Sequence, residues 1–427
     1  MRICGLTRLF PFVGYRVVEV IFSADVVQVN LDVDRRYRLA CPRCGTTMGV
    51  NRTSVHIARD LPLGAARSVV VRYPARQGRC RRCGTVATIH PPGIDSRRRA
   101  TVRLMRYAAA LAVYMPVTAV AQFIAVSDDA LRRWDKHVLA GLLEPPDLDS
   151  LRLLMIDEKA IGKGHQYVTV VLNGETGDLL HLKEGRKKKT LKAFFDTLTD
   201  EQKANIQAVC VDRSGAYVAC IEEELPDAEI VYDKFHLVKN FNAIVDTVRR
   251  QEWNNARATK DDRTAKLIKN QRYNLLRRAE NNTAAQQDRL DELLVMNERL
   301  NKTYLLLEDF REALSERHVG TCQRALTLWL QTALASGIQA VRQFAFHLGK
   351  HVRRVVNAVR YNLNNGRMEG FNNLISRVIH RACGYRDDQY LTLKLRHQAV
   401  KRPSNYESAV RESAGEPYLS HGLIVFG

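Results

Sequence analysis

Two groups of residues in this chain have types and spacings suited to chemistry. The first is a pair of Cys-x-x-Cys knuckles, CPRC (Cys41, Cys44) and CRRC (Cys80, Cys83), each followed by glycine (Gly45, Gly84). Four thiolates are the donor set of a closed, tetrahedral structural zinc site, and the glycines permit tight turns whose amides approach the sulfurs. Reduced, unliganded thiols are the alternative. The second group is three acids far apart in the chain: Asp157, Asp212 and Glu369. Carboxylates brought to one point can hold divalent cations that clamp the attacking and leaving oxygens of a phosphodiester displacement. Without metal they repel, and one is driven to protonate. For any one of these acids taken singly, a turn or a solvent-facing role is the simpler reading.

The elements around the acids bring them together. LRLLMID reads as a strand ending at Asp157, and QYVTVVLN and DLLHLKEG as the next two, joined by a turn at residues 174–177. TLKAFFDTLTDEQ has helical spacing. IQAVCVD is a fourth strand ending at Asp212, GAYVACIEEEL a helix, and AEIVYD a fifth strand ending at Asp233. The order β-β-β-α-β-α-β is that of the RNase H-like fold, in which the first and fourth strands are neighbours. Asp157 and Asp212 then converge. The third ligand is expected on a later helix, and Glu369 in NNGRMEGFNNLISRVIHRACGYRD is the best candidate. Glu158 leaves an extended strand on the opposite side from Asp157, a supporting or structural position.

The charge points to a polyanionic partner. The 427 residues carry a net charge of +20 and a pI near 9.7, which favours nucleic acid first and an anionic membrane second. Residues 1–100 hold 18 Arg and no Lys against 6 acids, and residues 350–402 hold 12 basic side chains against 3 acidic. Arginine suits phosphate because its planar fork binds oxygens bidentately. A general compositional preference for Arg is the competing explanation. AVAQFIAVSDDALRRWDKHV has the rhythm of a helix-turn-helix. Residues 101–115 and Val117–Ala125 form helices, and Ser127 caps a third over Asp128–Leu142. Arg132, Arg133 and Lys136 then project toward a groove or its phosphates, and Arg97, Arg98 and Arg99 precede the unit. A structural hairpin with a solvated charge cluster fits the same residues.

Residues 107–127 contain no charge but break at Pro116, and read as packed helices rather than a membrane span. Arg2, Cys4 and Arg8 interrupt any secretory signal, so the cytoplasm is expected. The remaining cysteines (Cys4, Cys210, Cys220, Cys322, Cys383) lack ligand spacing and read as buried small apolar residues. No proline falls between Pro226 and Pro403, which permits long helices. Trp253 and Trp329 in that stretch could stack on an unpaired base, although a core role suits each better.

Taken together, CPRCG, RDLPLG, CRRCG, IDEKAIGKGHQYVTVV, VDRSGAY, AEIVYDKFHLVKN and MEGFNNLISRVIHRACGYRD resemble the ISL3 insertion-sequence transposases, a DDE group of bacterial mobile elements. The resemblance covers nearly the whole chain. It departs mildly at Arg81, where proline is usual, and at Arg213 and Ser214. It implies a catalytic triad of Asp157, Asp212 and Glu369, with Asp233 and His236 beside it. His236 would orient the scissile phosphate or a flanking base, or simply pack at a helix start. The expected fold is multidomain α/β. It comprises a zinc-binding β domain (1–93), a helix-turn-helix domain and linker (94–150) and an RNase H-like core in two parts (151–239 and 346–402). An all-helical insertion (240–345) separates the two parts, and a tail (403–427) ends the chain. Two Mg²⁺ (or Mn²⁺) per active site and one structural Zn²⁺ are implied. The partners would be double-stranded DNA, both terminal inverted repeats and target, and further copies of the chain in a dimer or larger assembly, with no membrane. Lys163, Arg377, Arg381 and Arg386 are further candidates for DNA contact. The alternatives are a catalytically silent, captured transposase acting as a DNA-binding regulator, and a nuclease of the same fold that cuts without joining.

Overall fold

The structure, a computed structural model, describes residues 9–399 except Ala65, Arg67, Lys163, His165, Arg213, Asn364 and Asn365. Lys163, Cys4 and the tail 403–427 therefore lie outside the described residues. The chain forms two compact units, Met1–Pro145 with Arg377–Gly427, and Pro146–Ser376.

The first unit opens with strands β1 (Tyr15–Phe22), β2 (Val26–Val33), β3 (Gly49–Asp60), β4 (Ser68–Arg79), β5 (Val86–Ile89), β6 (Ile94–Asp95) and β7 (Ala100–Thr101). They make one sheet in the order β1-β2-β4-β3-β7-β6, with β5 on β4. Alternate residues of a strand share a face, so β4 buries Val69, Val71, Tyr73 and Ala75 against Val27, Val29 and Leu31 of β2. Three helices follow: α1 (Val102–Leu111), α2 (Val117–Phe123) and α3 (Asp128–Leu142). The first ends at Leu111, earlier than the expected residue 115, with Ala112 as its C-cap, and Pro116 is the N-cap of the next helix. Between α2 and α3, Ala125 takes a left-handed φ of 55°, and the Val126 amide donates to the Ala121 carbonyl at 2.9 Å. The Ser127 hydroxyl caps α3 by accepting from the Ala130 amide at 3.3 Å. The uncharged stretch supplies the shared core of these helices, including Ala108, Val120 and Ala121. No described helix is long and apolar enough to cross a membrane.

The second unit carries β8 (Leu153–Ala160), β9 (Tyr167–Asn173), β10 (Leu179–Glu184), α4 (Lys188–Phe195), α5 (Asp200–Asn205), β11 (Ala208–Val211), α6 (Gly215–Glu224) and β12 (Glu229–Tyr232). The sheet order is β10-β9-β8-β11-β12. The first three strands are antiparallel, and β11 runs parallel to both β8 and β12. Helices α7 (Lys234–Ala258), α8 (Asp262–Asn270), α9 (Arg272–Leu276), α10 (Ala284–Met296), α11 (Glu298–Ser315), α12 (Val319–Leu334), α13 (Gln339–Gly349), α14 (Val352–Arg360) and α15 (Gly366–Arg381) follow. Position 240 lies inside α7 and position 345 inside α13.

An aromatic cluster of Phe241, Phe310, Trp329 and Phe344 holds the helical region, with neighbouring rings 4.5–6.1 Å apart. The buried Trp329 indole donates to the Leu306 carbonyl at 2.7 Å, which makes it a core residue. Trp253 is half-buried, with the Arg257 guanidinium 5.3 Å from its ring centre.

The last described helix, α16 (Asp388–Ala399), belongs with the first unit. Lys394, 2% exposed, donates to Asp135 of α3 at 2.7 Å and to the Ala112 carbonyl at 3.0 Å. The Tyr390 hydroxyl donates to the same carboxylate. The described cysteines are free; Cys210, Cys220 and Cys322 are buried as expected, but Cys383 is exposed, at a left-handed φ of 55° just beyond α15.

Candidate active site and metal centre

The two cysteine knuckles are built alike. The Gly45 amide donates to the Cys41 carbonyl at 2.9 Å, and the Gly84 amide to the Cys80 carbonyl at 3.0 Å. Both glycines take φ of 71°, a left-handed conformation that costs glycine nothing. The four sulfurs lie within 4.8 Å of one another, with Cys41–Cys83 and Cys44–Cys80 each 3.5 Å apart. Zinc–sulfur bonds of about 2.3 Å in a tetrahedron put sulfurs about 3.8 Å apart, so the arrangement fits the ion. Hydrogen bonding with Thr85, side chain first and then backbone, holds the Cys83 thiol down to about 6, and Thr46 lowers Cys44 in the same way, whereas Cys80 is pushed up to about 11. Cys44 and Cys83 are therefore prepared for the thiolate state that a zinc ligand requires.

The acids are placed by strand register. The last β8–β11 pair is Ile156 with Val211, and the last β11–β12 pair is Val211 with Tyr232. Asp157, Asp212 and Asp233 each come one residue after this row. Adjacent strands are about 4.8 Å apart, so three carboxylates from distant parts of the chain share one sheet end. They line a cleft with His236, Cys210 and Met368. The strand bearing Asp157 does not end there: β8 continues to Ala160, paired with β9 down to Tyr167. Only its β11 side stops at Ile156.

Asp157 is 9% exposed, and its two oxygens accept from the Glu158 amide at 2.8 Å and from the Asn372 side-chain amide at 2.7 Å. Burial raises its carboxyl above the usual range; Asn372 opposes that and the charge of Asp212 adds to it. Asp212, half-buried, accepts from the Ser214 amide at 2.9 Å. Asp233, 7% exposed, caps α7 through the Phe235 amide at 2.9 Å and holds His236 Nδ1 at 2.6 Å. That hydrogen bond raises the imidazole's affinity for a proton, and the charges of Asp157 and Asp212 reinforce it.

Glu369 lies in the first turn of α15, exposed, next to the cleft-lining Met368 and three residues before Asn372. Among the described residues, only the four cysteines bring three or more ligand atoms within 4.8 Å of one another. Glu369 is not among the residues lining the cleft, and Asp157, Asp212 and Asp233 form an open set rather than a closed cage. Such a set fits Mg²⁺, which keeps several waters and is bound through one or two carboxylates together with substrate phosphates. Asn372 was missed in the sequence; its spacing from Glu369, one helical turn, was the available signal.

Of the candidate DNA contacts, Arg97, Arg377 and Arg386 are exposed, and Arg99 is exposed at a left-handed φ of 50°. Arg98 pairs with Asp95 at 2.7 Å and Arg132 with Asp129 at 3.3 Å, while Arg133 donates to the Asp129 carbonyl at 3.2 Å. Lys136 pairs with Asp387 at 2.8 Å and Arg381 donates to the Val113 carbonyl, so both have partners inside the first unit.

Comparisons with known proteins agree with this layout. Residues 154–395 match the ISL3 family model described as a transposase. Residues 89–139 match the helix-turn-helix domain of transposase family ISL3. The transposase for insertion sequence element IS1001 of Bordetella parapertussis is 34% identical over 84% of this chain and 88% of its own length. The transposase for insertion sequence element IS1557 of Mycobacterium tuberculosis is 30% identical over 57% of this chain and 59% of its own. With matches spanning both the strand-borne acids and the helices ahead of them, the chain belongs to the ISL3 family of insertion-sequence transposases.

Proposed function

We infer that the chain cuts and joins DNA at the ends of an insertion sequence. The observation that carries this reading is the register that sets Asp157 and Asp212 side by side, one residue past Ile156 and Val211. On this reading the second unit is an RNase H-like core with a helical insertion. Asp157 and Asp212 hold two Mg²⁺ or Mn²⁺ ions, and Glu369 completes the ligand set from α15. Bound there, the ions supply charge neutralisation at the attacking and leaving oxygens of the phosphodiester.

The protein's own residues align and shield. Asn372 fixes the Asp157 carboxylate, so its oxygens are oriented before DNA arrives. Asp233 holds His236 Nδ1 and raises the ring's affinity for a proton, and the ring lines the cleft, where in its protonated form Nε2–H would donate to a phosphate oxygen. Such positioning supplies much of the rate in phosphoryl transfer. The zinc knuckles (Cys41, Cys44, Cys80, Cys83) staple the first sheet. The helix-turn-helix reads the terminal inverted repeats through α3, with Arg97, Arg99, Arg132 and Arg133 as phosphate contacts. Two ends must be processed together, so a dimer or larger assembly on DNA is expected, on the bacterial nucleoid.

The test uses purified full-length chain, a duplex bearing the inverted repeat that flanks the gene, and Mg²⁺ or Mn²⁺. Cleavage at the repeat end that disappears in Asp212→Asn supports the reading. Cleavage by Asp212→Asn equal to the unsubstituted chain refutes the metal site. Tight binding with no cleavage by the unsubstituted chain would instead favour a DNA-binding regulator.

A further inference from the structure

Residues 185–189 read GRKKK, four consecutive cations that run from the loop leaving β10 into the first turn of α4. It is not slack. The Gly185 amide donates to the Tyr167 carbonyl at 2.7 Å, and its carbonyl accepts from the Thr169 hydroxyl at 2.8 Å. The Arg186 guanidinium lies 4.3 Å from the centre of the Tyr167 ring, and its Nη1 lies 3.8 Å from a Glu158 oxygen. Lys188 is taken by Glu223, whereas Arg186, Lys187 and Lys189 are exposed.

This loop belongs to the neighbourhood of the acid row. Glu158 follows Asp157 on β8 and pairs with Thr169 of β9, whose hydroxyl donates to the Gly185 carbonyl. Arg186 therefore sits beside the residue that follows the first acid of the row. A phosphodiester strand entering three acids is repelled unless fixed positive charge meets it. Arg186 answers that need: stacking holds the guanidinium in place, while 3.8 Å to Glu158 is longer than the about 2.7–2.9 Å of a charge-assisted hydrogen bond. Its donors remain open to phosphate.

We propose that Arg186, Lys187 and Lys189 form a phosphate-backbone site for the DNA strand that enters the acid row, with Tyr167 and Glu158 positioning Arg186. This rests on the reading of the chain as acting on DNA. It assigns this role to the β10–α4 loop together with the first turn of α4.

The experiment combines lysine mapping with salt-dependent binding. Full-length chain is acetylated with acetic anhydride, with and without a duplex carrying the repeat end, and Lys187 and Lys189 are compared with the exposed Lys260 by mass spectrometry. Protection of Lys187 and Lys189, with Lys260 unchanged, is expected. The triple variant R186A/K187A/K189A should lower the log–log salt slope of binding, read by fluorescence anisotropy, by about 0.9 per phosphate contact removed. Its single-turnover cleavage should fall by about tenfold or more. Arg186→Lys should lose part of that rate, because it keeps charge but not the planar fork. A DNA complex in which Lys187 and Lys189 react like Lys260 overturns the site, whether or not the variants fold. Cleavage that continues in that case leaves the proposed function standing. An unsubstituted chain that binds no DNA overturns both.

Discussion

Asn372 donates its side-chain amide to Asp157 at 2.7 Å from a point one helical turn after Glu369. One hydrogen bond therefore ties the helix carrying the third acid to the strand carrying the first. Removing it frees α15 to shift and lets the Asp157 carboxylate rotate. Asn372→Ala should lower single-turnover cleavage about 10- to 100-fold, the usual cost of losing a group that orients a metal ligand. Binding of the repeat-end duplex should be unchanged. An Asn372→Ala chain that cleaves at the original rate would show that the tie is structural only.

Asp157→Asn should separate chemistry from folding. The buried carboxylate is held above its usual range by burial and by Asp212, so its charge opposes folding in the metal-free protein. The amide is neutral and nearly isosteric. Cleavage should vanish, while the thermal midpoint in EDTA at pH 8 should equal or exceed that of the unsubstituted chain. A lower midpoint would contradict the electrostatic account.

Zinc should be found at one ion per chain, held by Cys41, Cys44, Cys80 and Cys83. Chelation should loosen the first unit and abolish recognition of the repeat end. Cys83→Ser should reproduce that effect and reduce the zinc content. Metal analysis showing no zinc in carefully purified protein would refute the assignment.

Within the first unit, Lys394 and Asp135 form a buried ion pair with 2% and 0% side-chain exposure. Lys394→Ala leaves a buried carboxylate without its cation and should cost about 3–5 kcal/mol in urea denaturation. Replacing both partners, Lys394→Met with Asp135→Leu, should recover most of that loss. A single substitution as mild as the double would mean that water reaches Asp135.

His181 on β10 provides a test against pH. Burial, and then the nearby Lys183, lower its affinity for a proton, and Nε2 has no hydrogen-bond partner among the described residues. Because the folded-state pKa lies below the unfolded value of about 6.5, the unfolded chain binds more protons as the solution is acidified. The stability contributed by the neutral ring is complete above that value and is lost as pH falls through the folded one. The urea midpoint should drop between pH 7.5 and 5.5, and should drop less in His181→Leu.

Much of this organisation was legible from residue patterns, and for identifiable reasons. The apolar runs of β8, β9 and β11 are nearly continuous because both faces of that sheet are covered, and such runs stop sharply where solvent begins. Asp212 and Asp233 mark those stops. Asp157 misleads at the last step, since β8 outlasts its pairing with β11 by following β9, and no local signal distinguishes the two edges of a strand. The knuckles were readable because coordination geometry demands fixed spacing. The roles of Lys136, Arg381 and Lys394 depend on packing against residues some 250 or more positions away, which no local pattern records. Glu158 is expected by pleating to turn away from Asp157; burial and then the charge of Asp212 raise its carboxyl, an influence that no local pattern records.

The unequal support on the two edges of β8 has a mechanical consequence. Asp157 sits inside a ladder that β9 extends to Ala160, whereas Asp212 lies just past the end of β11 and accepts from the Ser214 amide. On the proposed reading, a cation held by both would meet one carboxylate set in the β8–β9 ladder and one just past a strand end, so adjustment to ion radius would fall on Asp212 rather than on the sheet.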